Sequence, residues 1–312
     1  MIINGLLYIF SFILIWFGAG LIVNSIDKYA KKLHISSFAV SFFILGFLTS
    51  TPEIAVGLNS IIEKDPEIYV GNLIGGVIII FLFIIPVLAI FGNGITLSHQ
   101  LNKKNLLLSL AICAAPAFLI SDRRVTVFEG LLLIFLYLVL FYMIEKKKGI
   151  IENIEDKFLK TDRDDLKYLV KIVIGVIIVF LTSRFIVDET IYFSKILQIS
   201  PFFISLIMLS LGTNLPELSV GIRSLSSGKK EIAFGDYIGS AAANTAIFGV
   251  LTVINKSDVI IPDHFFQRFI FIAAGLGLFY FFSRSKNNIS RVEGFILLLV
   301  YILFLLVEFS IK

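Results

Sequence analysis

Two short segments place a glutamate directly after a proline, in the middle of apolar stretches. Residues 48–53 read LTSTPE, and residues 212–217 read GTNLPE. Proline lacks a backbone N–H and clashes with the preceding helical turn, so we expect each helix to break or kink at Pro52 and Pro216. A break frees backbone carbonyl oxygens beside Glu53 and Glu217. Both segments therefore bring carbonyl and carboxylate oxygens together.

The neighbouring side chains add further oxygens. They are the hydroxyls of Thr49, Ser50 and Thr213 and the amide of Asn214. Hard cations such as Ca²⁺ bind about six to eight oxygens, with carboxylates among them. A charged residue at mid-membrane depth costs at least about 2.5 kcal/mol and usually marks a transport pathway. We therefore expect a cation site, the alternative being a proline-kinked structural helix whose glutamate is protonated.

A second pair of segments is rich in glycine. Residues 71–76 read GNLIGG and residues 235–240 read GDYIGS. Small residues four apart on a helix allow a neighbouring backbone to approach closely. Four glycines are expected to pack these helices against the broken ones: Gly71, Gly75, Gly235 and Gly239.

The second copy also carries a polar stripe. Asp236, Ser240 and Asn244 are spaced by four residues and share one helix face. In the first copy the same face becomes apolar at Gly76 and Ile80. Asp236 lies two turns before Asn244, about 12 Å along the axis. The glutamates alone give the site a charge of −2, which one Ca²⁺ or two monovalent ions would balance. Asp236 is a possible additional acid of the site.

These segments belong to an internal repeat. A shift of 164 residues, without a gap, aligns 36–76 with 200–240, and 15 of the 41 positions are identical. The matches include both Pro-Glu pairs and the paired glycines. Chance similarity between apolar helices would match leucine and isoleucine rather than these residues. The chain therefore contains two copies of one unit, with motifs at 36–80 and 200–244.

Composition indicates an integral membrane protein. Of the 312 residues, 57% are hydrophobic and 16% are charged, with a mean hydropathy of +0.94. The apolar runs are continuous and long enough to cross a bilayer as helices, which takes about 20 residues. We predict an all-α fold of ten transmembrane helices, at about 3–23, 35–62, 67–92, 103–121, 124–145, 166–187, 198–226, 231–254, 264–283 and 290–311.

The spans divide into two sets of five. Residues 1–144 form the first set, 145–165 a charged linker, and 166–312 the second set. Because each set has an odd number of spans, the second enters the membrane with opposite polarity, as in many secondary transporters. The distribution of lysine and arginine predicts a cytoplasmic linker and outer termini in a multi-pass cell-membrane protein.

The four segments together resemble the two α-repeats of the sodium/calcium exchanger family, which is part of the cation/Ca²⁺ antiporters. The resemblance covers essentially the whole chain and implies an alternating-access antiporter, not an enzyme. It implies that the transported ions are Ca²⁺ and Na⁺ and that no cofactor is needed. By resemblance, the Ca²⁺ site is formed by neighbouring backbone carbonyls with Glu53, Glu217, Thr49 and Thr213.

The resemblance also implies Na⁺ ligands. These are the backbone carbonyls of Gly46 and Ser210 and the hydroxyl of Ser240. Family members usually carry serine and asparagine where this chain has Gly76 and Ile80, and often an acid or asparagine where it has Asn244. The missing ligands favour a Ca²⁺/H⁺ or other cation/H⁺ antiporter as the alternative function.

A non-transporting membrane scaffold of the same fold is a remote alternative, against which the retained glutamates argue. The single cysteine, Cys113, excludes a disulfide framework, and three scattered histidines do not predict a metal site. The net charge of +4 is explained by membrane topology rather than by nucleic-acid binding. The expected partners are the lipid bilayer and small inorganic cations, with no obligate protein partner.

Overall fold

The computed structural model is almost entirely helical. It describes residues 2–32, 42, 46–96, 103–145, 163–226, 230–261, 265–285 and 288–310. The helices of the first half are α1 (Ile2–Lys32), α2 (Gly46–Thr49), α3 (Thr51–Ile62), α4 (Glu67–Ile79), α5 (Ile85–Phe91), α6 (Lys103–Leu119) and α7 (Val127–Glu145). Those of the second half are α8 (Arg163–Leu197), α9 (Pro201–Ile204), α10 (Ser210–Thr213), α11 (Leu215–Ser226), α12 (Lys230–Asn255), α13 (Phe265–Ser285) and α14 (Arg291–Ser310).

Short π-helical and strand segments complete the described chain. The π-helices Ile80–Ile84 and Ser205–Leu209 join α4 to α5 and α9 to α10. A 3₁₀ turn, Ile120–Asp122, follows α6. Four two-residue strands, which the sequence analysis does not predict, are β1 (Ile95–Thr96), β2 (Arg124–Val125), β3 (Val259–Ile260) and β4 (Asn288–Ile289). They form two antiparallel pairs, β1 with β4 and β2 with β3.

Eight helical segments of the described chain are long and apolar enough to cross a bilayer, two fewer than the ten predicted spans. Their outer faces expose large apolar side chains, as expected of surfaces that contact lipid rather than water. On α1 these include Leu6, Ile9 and Phe17, and on α7 they include Leu131 and Phe135.

Two predicted spans are too short. Helix α1 continues to Lys32, beyond the predicted end at 23, and α8 runs over Arg163–Leu197 rather than 166–187. Hydropathy detects only the part of a helix that suits hydrocarbon, whereas backbone hydrogen bonding continues into the polar interface. Residues 36–41, 43–45 and 146–162, which hold part of the first motif and most of the predicted linker, lie outside the described residues.

Helices α4 and α12 lie at the centre of the molecule. Nearly every described residue of α4 is buried, as is the stretch of α12 from 233 to 249. Each is packed closely against backbone contributed by the other half. A Cβ added at Gly75 would lie 2.2 Å from the carbonyl oxygen of Leu206, and one added at Gly239 would lie 2.0 Å from that of Phe42. Only glycine permits these approaches, which bring the central helices against the interrupted ones.

Candidate functional site

Two interrupted helices carry the glutamates. In the first half α2 ends at Thr49 and α3 begins at Thr51, and in the second α10 ends at Thr213 and α11 begins at Leu215. The intervening residues, Ser50 and Asn214, have φ/ψ of −77°/9° and −89°/12°. These values lie in the sparsely populated region where helices are commonly broken. The interruptions therefore occur where the proline pattern predicts them.

Proline accounts for the local hydrogen bonding in the first half. Pro52 cannot donate to the carbonyl oxygen of Leu48, which a helix would require. The hydroxyl of Thr51 donates to that carbonyl instead, at 2.6 Å. Leu215, the equivalent residue of the second half, has no hydroxyl to do so. The two interruptions are therefore similar in backbone but different in how their carbonyls are satisfied.

Glu53 and Glu217 are fully buried, and their carboxylates are close enough to interact electrostatically. Asn214 donates to Oε1 of Glu53 at 3.3 Å, and Ser240 donates to Oε1 of Glu217 at 2.7 Å. The Oε2 atom of each glutamate is buried and has no hydrogen-bond partner among the described residues. Each carboxylate thus keeps one oxygen that no donor in the described part of the chain satisfies.

The two threonines reach across between the halves. The hydroxyl of Thr213 donates to Oδ1 of Asn72 at 3.0 Å, and the hydroxyl of Thr49 donates to Oδ1 of Asp236 at 3.4 Å. The 164-residue shift relates one pair to the other.

These contacts place Asp236 beside the glutamates rather than apart from them. The distance along α12 from Asn244 does not determine this placement, because Thr49 of α2 lies 3.4 Å from Oδ1 of Asp236. Asp236 also interacts electrostatically with Glu217. Asp236 is fully buried, and its Oδ2 atom has no hydrogen-bond partner among the described residues. The site therefore holds a third acid.

Neutral oxygens surround these acids. The carbonyl oxygen of Gly46 accepts hydrogen bonds from Ser50 at 2.9 Å and Thr49 at 3.3 Å. The carbonyl oxygen of Ser210 accepts from the Asn214 amide at 2.8 Å. Ser50 and Ser240 are joined through their hydroxyls at 3.1 Å. Ligand candidates from both halves are thus in direct contact.

Asn244 occupies the edge of the site. Its side chain is buried, and neither Oδ1 nor Nδ2 has a hydrogen-bond partner in the described part of the chain. It lines a small cavity with apolar residues of α4, α6 and α13. A Cβ added at Gly76 would lie 3.0 Å from Nδ2 of Asn244 and 3.2 Å from that of Asn214. The glycine at position 76 therefore allows both amide groups to approach the backbone of α4 more closely than a residue with a Cβ would.

The predicted packing glycines lie close to the site, and so does Asn72, which the sequence did not identify as a site residue. A Cβ added at Gly71 would lie 2.5 Å from the carbonyl oxygen of Phe202. Gly235 is buried on α12. Asn72 contacts Thr213 although it is not among the predicted site residues. Its equivalence to Asp236 under the 164-residue shift is the signal that identifies it.

No basic side chain of the described residues pairs with the three acids of the site. Among the described residues, no ion pair involves Glu53, Glu217 or Asp236. No group of three or more His, Cys, Asp or Glu side chains in that part of the chain is arranged to hold a metal ion. A hard cation at this position would need carbonyl, hydroxyl and amide oxygens as well as carboxylates. The oxygens described above are of those types.

Comparison with known proteins supports the same class. The family described as sodium/calcium exchanger protein matches residues 4–144 and 167–310. The sodium/calcium exchanger MaX1 of Methanosarcina acetivorans is 24% identical over 348 residues, covering 99% of both chains. The putative antiporter CaxA of Alkalimonas amylolytica is 27% identical over 300 residues, covering 93% of both.

Solved structures share the fold. The sodium-calcium exchanger NCX_Mj, soaked with 10 mM Na⁺ and zero Ca²⁺, superposes with a TM-score of 0.69 at 25% identity, covering 97% of this chain and 98% of that one. The same exchanger soaked with 2.5 mM Na⁺ and 10 mM Sr²⁺ has a TM-score of 0.69 at 23% identity, with 97% of both chains covered. Since the family match spans both halves, the chain belongs to the sodium/calcium exchanger family of multi-pass membrane antiporters, which are transporters rather than enzymes.

Proposed function

We propose that this protein exchanges Ca²⁺ for Na⁺ by alternating access at a site built around Glu53 and Glu217. The observation that carries the proposal is that each glutamate is fully buried, has one oxygen without a donor and lacks a basic partner among the described residues. A buried carboxylate without compensation is costly. A bound cation supplies the missing charge, and the relatives named as sodium/calcium exchangers support Ca²⁺ and Na⁺ as the ions.

The Ca²⁺ ligands are the carboxylates of Glu53 and Glu217 and the hydroxyls of Thr49 and Thr213, with neighbouring carbonyls. Na⁺ uses the carbonyl oxygens of the interrupted helices together with serine hydroxyls. Carbonyls at the ends of half-helices bind such ions in other transporters. The contacts within the site that support these assignments involve Gly46, Ser210, Ser240, Ser50, Asn214 and Asn244.

The halves, 1–144 and 166–312, are proposed to be inverted-topology repeats within a ten-helix fold, joined by the linker 145–165. Contacts exchanged between equivalent positions support this. Thr49 contacts Asp236 as Thr213 contacts Asn72. The pairing of β1 with β4 likewise becomes that of β3 with β2 under the 164-residue shift. The distribution of lysine and arginine supports one orientation of these repeats in the cell membrane, with a cytoplasmic linker and outer termini.

Cation/H⁺ exchange is the alternative, favoured by one observation. The helix face that carries Asn72 has no polar side chain at Gly76 on α4 or at Ile80 in the following π-helix, and Asn244 on α12 is neutral. A proton needs no cage of oxygens, so these replacements affect proton coupling less than Na⁺ coupling. A buried glutamate can bind either ion.

Radioactive Ca²⁺ uptake into liposomes holding the purified protein separates the two functions. An outward Na⁺ gradient is compared with an outward H⁺ gradient of equal size, under a clamped membrane potential. Uptake driven by Na⁺ supports the proposal, and uptake driven only by H⁺ supports the alternative. Absence of uptake with both gradients contradicts Ca²⁺ transport.

Conservative variants test the site itself. Glu53→Gln and Glu217→Gln each retain the shape of the side chain but remove one of the charges, so both are expected to abolish Ca²⁺ uptake while preserving the folded protein. Glu63→Gln is the matched control, because Glu63 lies at the end of α3 and faces Arg184 at 3.8 Å, away from the interruption. Parental uptake by either site variant would show that the site is wrongly assigned.

A further inference from the structure

Asp236 differs from the other acids in lacking an acidic counterpart in the first half. Its equivalent is Asn72, and both accept a hydrogen bond from a threonine of the opposite half. The two contacts thus share a geometry but differ in charge. A neutral amide suffices for that contact on one side, so packing alone does not call for a carboxylate on the other.

The hydroxyl of Thr49 cannot satisfy all of its neighbours. It has a single proton, and the acceptors within 3.5 Å include the carbonyl oxygen of Gly46 at 3.3 Å and Oδ1 of Asp236 at 3.4 Å. At most one of these accepts that proton at a time. Asp236 also has a second oxygen, Oδ2, that is buried without a hydrogen-bond partner among the described residues.

Oxygens that suit a small monovalent cation therefore meet beside Asp236. The backbone of α2 lies directly against α12, because a Cβ added at Gly46 would be 2.6 Å from the backbone nitrogen of Ser240. Ser240 lies one turn after Asp236 and bonds to Glu217. The hydroxyl of Thr49, at the end of α2, thus lies within 3.4 Å of both the Asp236 carboxylate and the carbonyl oxygen of Gly46. Carbonyl oxygens of interrupted helices bind Na⁺ in other transporters.

The geometry points to a separate monovalent-cation site formed by Asp236 and Thr49, which binds one Na⁺ beyond those that the Glu53–Glu217 pair compensates. This inference rests on the proposed function, because it adds an ion to the same transport site. Three buried carboxylates accommodate three Na⁺ without leaving net charge, whereas the glutamate pair alone accommodates two.

The number of bound Na⁺ ions can be measured without transport. Na⁺ that binds only the folded protein raises the melting temperature. At saturating Na⁺, the slope of the stabilisation against ln[Na⁺] is proportional to the number of bound ions. The detergent-purified protein is titrated with Na⁺ in Ca²⁺-free buffer, at constant ionic strength held by a large organic cation. Unfolding is followed with a thiol-reactive dye, because the single cysteine, Cys113, is buried.

The expected slope corresponds to three ions in the parent. In Asp236→Asn it falls to about two thirds of that value, since one of three sites is lost. Asp188→Asn removes an acid at an exposed position of α8 and is expected to keep the parental slope. The double variant Asp236→Asn/Asn72→Asp moves the carboxylate to the equivalent contact with Thr213 and is expected to restore it, which a purely structural role of Asp236 would not do.

Equal slopes in the parent and Asp236→Asn overturn the inference. They are the result expected if Asp236 is protonated and binds no Na⁺. Should that variant not fold, a parental slope of two ions or fewer overturns it as well. Ca²⁺ uptake by the same preparations separates this failure from that of the proposed function. Normal uptake with equal slopes refutes only the Asp236 site, whereas a reduced slope without any Ca²⁺ uptake refutes only the exchange of Ca²⁺.

Discussion

Replacing Glu308 with leucine is expected to destabilise the protein strongly, because it removes the carboxylate that pairs with the buried guanidinium of Arg268. The Arg268 guanidinium is 5% exposed and donates to both carboxylate oxygens of Glu308, at 2.8 and 2.9 Å. It also lies over the ring of Phe202, 4.8 Å from the centroid. Arg268 on α13 thereby connects α14 to α9, the first segment of the interrupted helix that leads to Ser210.

The size of the effect follows from burial. Removing one partner of a buried pair costs about 3–5 kcal/mol, because the remaining charge is uncompensated. Replacing both partners with apolar residues of similar volume is often neutral or stabilising. Glu308→Leu alone is therefore expected to cost about 3–5 kcal/mol. Arg268→Met/Glu308→Leu is expected to restore most of this loss, less about 1 kcal/mol for the contact with Phe202.

Thermal unfolding reported by Cys113 measures both variants against the parent, since the thiol becomes reactive only when the core opens. At about 2 °C per kcal/mol for a large domain, the single variant should melt about 6–10 °C lower. A single variant that melts within about 2 °C of the parent would refute the claim that the pair is mutually compensating. So would a double variant as unstable as the single one.

Two further predictions concern the site and its supporting helices. Ser240→Ala removes the hydroxyl that donates to Glu217 at 2.7 Å. We expect the half-maximal Na⁺ concentration for Ca²⁺ exchange to rise about tenfold, with a smaller change in the half-maximal Ca²⁺ concentration. Equal changes in both concentrations would contradict a role of Ser240 in Na⁺ binding. Gly75→Ala introduces a Cβ 2.2 Å from a backbone carbonyl and should lower the melting temperature, whereas Gly277→Ala, with nothing within 4 Å, should not; similar melting of both variants would refute this packing argument.

The sequence predicts the helices and their interruptions well, because both depend on local chemistry. Apolar runs of sufficient length identify membrane helices, and proline identifies the breaks before Glu53 and Glu217. The π-helices at 80–84 and 205–209 carry no such signal. Their extra residue per turn is set by how neighbouring helices pack, which no local pattern encodes.

The placement of Asp236 shows why the site itself is harder to predict. Distance along one helix is known from sequence, but the contact with Thr49 depends on how α2 lies against α12. The repeat contains the necessary information in part, since it equates Asp236 with Asn72. It does not indicate that each of these residues faces a threonine of the opposite half.

Each strand pair joins one strand of the first half to one of the second half, which has a consequence for biosynthesis. Ile95 of β1 pairs with Ile289 of β4, a partner synthesised almost at the end of the chain. Glu53 likewise enters the bilayer before Asn214, the residue that donates to it, has been made. Contacts so distant in sequence form late. The carboxylate of Glu53 and the strand β1 therefore lack these partners until the second half of the chain has been synthesised and inserted.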